Sequence, residues 1–126
     1  MTSLPPDIED LRLRTRDFIR TVVIPAEPAP GERLKESERS RLQDAAKSAG
    51  VYAPHAPREY GGQGVPLRYW SPIFQEAGYS LIGPTVLNCQ APDEGNMHML
   101  ELIGTEAQKE KYLRPLVSGA DQLEHV

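Results

Sequence analysis

The sequence predicts an all-α fold, an orthogonal or up-down bundle of five to six helices with a Pro/Gly-rich loop near residues 51–66. Three observations lead there. Apolar residues recur at helical spacing in one segment after another. Each such segment begins near a capping signal and closes on Gly or Pro. No stretch carries the alternating pattern of a strand. At 126 residues the chain suffices for one modest core.

The first helix is expected to begin with Ser3 as cap and Pro5 and Pro6 in the first turn, where Asp7, Glu9 and Asp10 complement the dipole. Ile8, Leu11, Phe18, Ile19 and Val22 fall on one face, and Pro25 is expected to stop the helix. Pro25 to Gly31 (PAEPAPG) reads as a stiff linker. A second helix runs from about Arg33 to Ala49, with Leu34, Leu42, Ala45, Ala46 and Ala49 inward and Gly50 just past its end. Its alanines imply close approach of another helix. Val51 to Pro66 is too dense in Pro and Gly for regular structure. A third helix, Leu67 to about Ala77, turns Leu67, Trp70, Ile73, Phe74 and Ala77 inward. A fourth follows Gly83 and Pro84. Asp93 is expected to cap a short fifth that ends before Gly104, and Thr105 with Gln108 makes a capping box for the last. That helix turns Tyr112, Leu113, Leu116 and Val117 inward and closes at Gly119.

The composition is that of an ordinary folded domain, 25% charged and 39% hydrophobic, with a net charge of -4. A broad basic field for nucleic acid or anionic membrane is therefore excluded. The single cysteine, Cys89, cannot build a disulfide framework and suits a reducing compartment. No apolar run reaches the roughly 20 residues of a membrane span. With acids early and no apolar signal core at the N-terminus, a cytoplasmic location is expected.

No constellation makes a self-sufficient active site. Glu94, His98 and Glu101 share a helix region, but helical di-iron sites use Glu-x-x-His on two helices with two further glutamates; here the order is Glu-x-x-x-His, once. They read as solvated polar residues, so no metal is expected. Gly61-Gly62-Gln63-Gly64 offers bare amides, yet no strand precedes it and no Gly-Lys-Ser/Thr follows. It reads as a tight connection. Cys89 has no base beside it in the pattern, and Trp70 with Phe74 reads as core.

Four pieces in order, SAGVYAP, REYGGQGVPL, QEAGYS and APDEGNMHMLELIGTEAQKEKYLRPLVSG, resemble the N-terminal helical domain of the acyl-CoA dehydrogenase family. Gly104 to Gly119 follows that family's Gly-(Ser/Thr)-x-x-Gln-Lys-x-x-(Tyr/Trp)-Leu-x-Pro-Leu-x-x-Gly closely. The APDEGNM run is similar to the branch acting on longer or unusual acyl chains. The resemblance spans residues 1–119; residues 120–126, including Leu123, Glu124 and His125, read as a tail, either a truncation point or a tag remnant.

The resemblance implies an oxidoreductase using FAD for α,β-dehydrogenation of an acyl-CoA thioester. A carboxylate takes the α-proton, the β-hydrogen leaves as hydride to the flavin, and electrons pass to an electron-transfer flavoprotein. In the family a β-barrel-like middle domain and a C-terminal helical domain supply the flavin contacts and the base. After PLVSG the family continues into a strand with Thr-Glu-Pro, whereas this sequence reads ADQLEHV. The 126-residue chain by itself is therefore expected neither to hold FAD tightly nor to turn over substrate, and Glu76, Glu94 and Glu101 are not assigned as bases. One role carries over by resemblance. A helix at about Thr85 to Gly95 walls the acyl chain, with Leu87, Asn88, Ala91, Pro92 and Gly95 as substrate-binding residues; small Ala91 and Gly95 leave depth for a long or branched chain. Homo-oligomer formation or a partner chain is expected to cover the remaining face. The alternative class is a stand-alone helical interaction module that binds a partner protein.

Overall fold

The computed structural model describes residues 3–120, whose regular elements are all helical, with no strand among them. Leu123, Glu124 and His125 lie outside the described residues. Six helical rods pack around one core: α1 (Pro6–Phe18) with its extension, α2 (Glu36–Ala49), α3 (Trp70–Ala77), α4 (Gly83–Val86), α5 (Asp93–Ile103), and a last rod made of α6 (Glu106–Gln108) and α7 (Arg114–Ser118). The all-α bundle expected from periodicity is the observed fold.

Two prolines that ought to end helices do not. α1 continues through a wide π-helical turn, Ile19–Val23, and a 3-10 turn, Ile24–Ala26, that contains Pro25. α6 and α7 are joined by a second π-helical turn, Lys109–Leu113, followed at once by Pro115 within Arg114–Ser118. A helical proline lacks its own N–H and its ring presses on the carbonyl four residues back. Those carbonyls, on Thr21 and Lys111, lie inside the two widened turns, which open the backbone where the rings crowd it. Pro25 thus reshapes the helix and does not stop it.

Several local expectations are corrected. α1 starts behind Pro5, with no side-chain cap from Ser3. α2 starts at Glu36, not near Arg33, although Gly50 closes it in the left-handed conformation as expected. Ala49 is exposed, and Val22 is only half-buried while Val23 and Thr15 lie in the core. α3 begins at Trp70 after a 3-10 turn, leaving Leu67 60% exposed. Pro92, not Asp93, occupies the cap position of α5; Asp93 is its buried first residue. Tyr112 is 50% exposed because the π-helical turn rotates it away from Leu113, Leu116 and Val117, which are buried. The Thr105–Gln108 capping box forms in both directions.

The loop at residues 51–66 is core, not covering. Val51, Tyr52, Ala53, His55, Ala56, Tyr60 and Val65 are all buried. Burial of a loop requires its backbone to be satisfied. Here Gln63 N donates to Ala53 O at 3.1 Å, Gly64 N to Ala56 O at 2.8 Å and Val65 N to Pro54 O at 2.9 Å. Gly62 is needed for that fold-back: a Cβ there would stand 2.2 Å from Ala56 O.

Candidate functional site

The segment joining α4 to α5 carries the expected site residues, and its geometry follows from one side chain. Asn88 is fully buried with φ 55°, a left-handed conformation that asparagine tolerates better than most residues. Its Nδ2 donates to Leu116 O at 2.9 Å, Val117 O at 3.1 Å and Tyr52 Oη at 3.0 Å. Tyr52 Oη donates in turn to Val117 O at 2.7 Å. The last carbonyls of α7 lack partners within their helix, so Asn88 and Tyr52 tie that end to the α4–α5 turn. Burial pushes the Tyr52 hydroxyl up to about 12, the hydrogen bond from Asn88 opposing in part. Leu87 O accepts from Ala53 N at 2.8 Å, which fastens the same turn to the buried loop.

The five expected substrate-binding residues do not share one helix. α4 ends at Val86, and α5 begins at Asp93. Leu87 and Asn88 point into the core; Ala91, Pro92 and Gly95 lie exposed on the outer side. A Cβ added at Gly95 would meet nothing within 4 Å. Beyond it the outer face of α5 continues through Met99, Leu102 and Ile103, which are 49%, 68% and 76% exposed. Its inner face carries Asp93 and Met97, both buried, with Leu100 packed on the core. α5 therefore carries apolar side chains outward at Met99, Leu102 and Ile103 as well as inward at Met97 and Leu100, with polar residues between the two sides.

Beside α5 a cleft of about 220 Å³ opens against the end of the buried loop, lined by His55, Val65, Leu67, Trp70, His98 and Glu101 among others. Trp70 meets both imidazoles edge-on, at 5.5 Å to His55 and 5.0 Å to His98, and stacks on Phe74. Trp70 and Phe74 are both half-buried and pack on the core; Trp70 also forms part of the cleft's wall. Burial, with a smaller push from His98, lowers His55 to about 4, so its ring is neutral at physiological pH.

The other candidates resolve simply. Glu94, His98 and Glu101 gather no metal-binding group, nor does any other set among the described residues. The amides of Gly61, Gly62, Gln63 and Gly64 are all spent on carbonyls of residues 53–58, leaving no anion cradle. Cys89 is buried and its thiol is pushed up to about 12 by burial. Glu76, between α1 and α3, accepts from Arg12 at 2.9 Å and Arg16 at 3.1 Å. Burial raises its pKa, but the two guanidinium hydrogen bonds outweigh this and hold the carboxyl below its ordinary range. Among the described residues no helix is long and apolar enough to cross a membrane.

The profile described as the acyl-CoA dehydrogenase N-terminal domain matches residues 5–120. Acyl-CoA dehydrogenase family member 11 of Mus musculus is 33% identical over 122 residues, covering 88% of this chain and 15% of the mouse protein. FadE2 of Mycobacterium tuberculosis, assigned as an acyl-CoA dehydrogenase, is 32% identical over 120 residues, covering 87% of this chain and 29% of FadE2. The solved structure of a Mycobacterium abscessus chain assigned as an acyl-CoA dehydrogenase superposes with a TM-score of 0.80 at 30% identity, covering 94% of this chain and 33% of the other. This chain thus spans between 15% and 33% of the length of these relatives. The acyl-CoA dehydrogenase family is generally FAD-dependent. Profile, sequence identity and superposed fold agree: this chain belongs to the acyl-CoA dehydrogenase family, as its N-terminal helical domain.

Proposed function

We propose that this domain walls the acyl chain of an acyl-CoA thioester in a flavin-dependent α,β-dehydrogenation, with the outer face of α5 as the wall. The supporting observation is the second apolar face of α5. Fully burying a Leu or Ile side chain stabilises by about 1.5–3 kcal/mol. For Leu102 and Ile103, mostly exposed here, cover is then worth on the order of 2–4 kcal/mol for the pair. Ala91, Pro92 and Gly95 extend that face with small groups that leave depth beside Met99, while Leu87 and Asn88 set the turn from behind. The same reading carries the family's FAD, an electron-transfer flavoprotein as acceptor, homo-oligomeric assembly or a partner chain, and a cytoplasmic place of action. Flavin contacts and the carboxylate base are assigned to residues other than those described here.

The test is Gly95→Phe in the flavin-loaded natural protein. A Cβ at this position meets nothing within 4 Å, so the ring is accommodated on the outer face of α5, where it takes up depth along the proposed wall. The preferred acyl chain is expected to shorten, with kcat/KM for long chains falling at least tenfold against short ones. An unchanged chain-length profile removes the wall assignment. The exposed Met99, Leu102 and Ile103 equally favour a second reading, a docking face for a partner protein. That reading gains if Gly95→Phe alters assembly and leaves the chain-length profile alone.

A further inference from the structure

We propose that the open groove between α1 and α2 receives the last helical rod of a second copy of this chain. Tyr112 of the rod is the inserted side chain, and Lys111 pairs with Asp17 on the groove's rim. The groove spans about 790 Å³ and is lined by Leu13, Phe18 and Val22 of the first helical rod and by Ala45 and Ala49 of α2. Phe18 is buried, Val22 and Ala45 are half-buried, and Leu13 and Ala49 are exposed. The short side chains of α2 allow a further helix to come close, yet Ala49 stays uncovered.

The charges of the groove select its occupant. Arg14 is held by Asp10 at 2.8 Å and donates to the carbonyls of Ala49 and Gly50. Asp17 lines the same groove, is exposed, and has no ion pair among the described residues. The groove therefore favours an apolar side chain with a cation beside it. α5 offers apolar side chains outward but contains no Lys or Arg. The last rod offers both. Its π-helical turn swings Tyr112 out to 50% exposure, and Lys111 Nζ lies 5.3 Å from the Tyr112 ring centroid. Glu106 is taken by Lys109 at 3.7 Å and Glu110 by Arg114 at 2.7 Å, which leaves Lys111 without a carboxylate among the described residues. The contact joins different surfaces of the two copies, so it is heterologous and repeats from copy to copy unless its rotation closes.

Sedimentation of the full 126-residue chain at rising concentration reads the contact. Association is expected with a Kd of ~0.1 mM, the scale of a small contact, and weakens as salt screens the ion pair. The amide resonances of Asp17, Ala49, Lys111 and Tyr112 are expected to move together with concentration, while those of Met99 and Ile103 stay. Tyr112→Ser, Asp17→Lys and Lys111→Glu should each weaken association about tenfold. Mixing Asp17→Lys with Lys111→Glu should restore it, because the reversed groove of one meets the reversed rod of the other. All three positions are exposed; should a variant still fail to fold, the amide shifts of the wild type decide. No association at millimolar concentration, shifts confined to α5, or a mixture no tighter than its components each overturn the proposal. None of these readouts involves acyl-CoA, so this contact and the acyl wall stand or fall separately.

Discussion

Replacing Asn88 tests whether one amide holds the last helix to the α4–α5 turn. Its two amide hydrogens are shared among Leu116 O, Val117 O and Tyr52 Oη, all within 3.1 Å and all buried. At about 1 kcal/mol net for each donated hydrogen, losing both costs about 2 kcal/mol. Asn88→Gly removes the amide yet keeps a residue at ease at φ 55°. Asn88→Ala removes the same amide and adds a Cβ to a left-handed backbone, about 1 kcal/mol more. The expected order is wild type, then Gly lower by about 2 kcal/mol, then Ala lower by about 3 kcal/mol. Urea denaturation followed by circular dichroism reads this directly. With a slope near 2 kcal/mol per molar, Asn88→Gly lowers the midpoint by about 1 M and leaves the slope unchanged. If Asn88→Gly stays within about 0.5 kcal/mol of wild type, the hub is not holding the turn. An Ala variant no worse than Gly refutes the backbone part of the reasoning.

Glu76→Gln keeps the shape of the α1–α3 latch but removes its charge, and is expected to cost about 2 kcal/mol at neutral pH. Because the folded-state pKa of Glu76 is lowered, its contribution is full above the ordinary carboxylate range and is lost as pH falls below about 4.5, so the variant and wild type should converge in stability in acid. Tyr52, held up at about 12, should remain neutral in an ultraviolet titration past pH 10 and ionise last; stability is expected to fall between pH 10 and 12, where the unfolded chain loses this proton first. A Tyr52 that ionises near 10 contradicts its burial. Cys89 should react with a thiol reagent only after urea unfolding, and fast labelling of the native protein would show that its site opens.

Much of the bundle was legible because helix signals are local. The Thr105–Gln108 capping box and the left-handed glycines at 50 and 119 each depend on a few adjacent residues, and each forms where expected. What local signals misjudged was direction. Leu67 and Tyr112 were placed inward by spacing alone, but a 3-10 turn and a π-helical turn change the angular step per residue and swing both outward. Pro25 was read as a stop because the widened turn that accommodates its ring leaves no mark in the sequence. The segment from residue 87 to 95 is singled out in the sequence through family resemblance, while its division into inward Leu87 and Asn88 and outward Ala91, Pro92 and Gly95 depends on the left-handed turn at Asn88.

The amino-acid sequence by itself determined the all-α class, the order of helices and the family. Those rest on short-range periodicity, caps and a motif read in one dimension. Only the tertiary structure decided that the Pro/Gly loop is buried, that Asn88 and Tyr52 hold the end of α7, and that α5 keeps an apolar face outward. The reason is physical. A loop is buried only when its backbone finds partners ten residues away, and an apolar face is free only when nothing else in the chain reaches it.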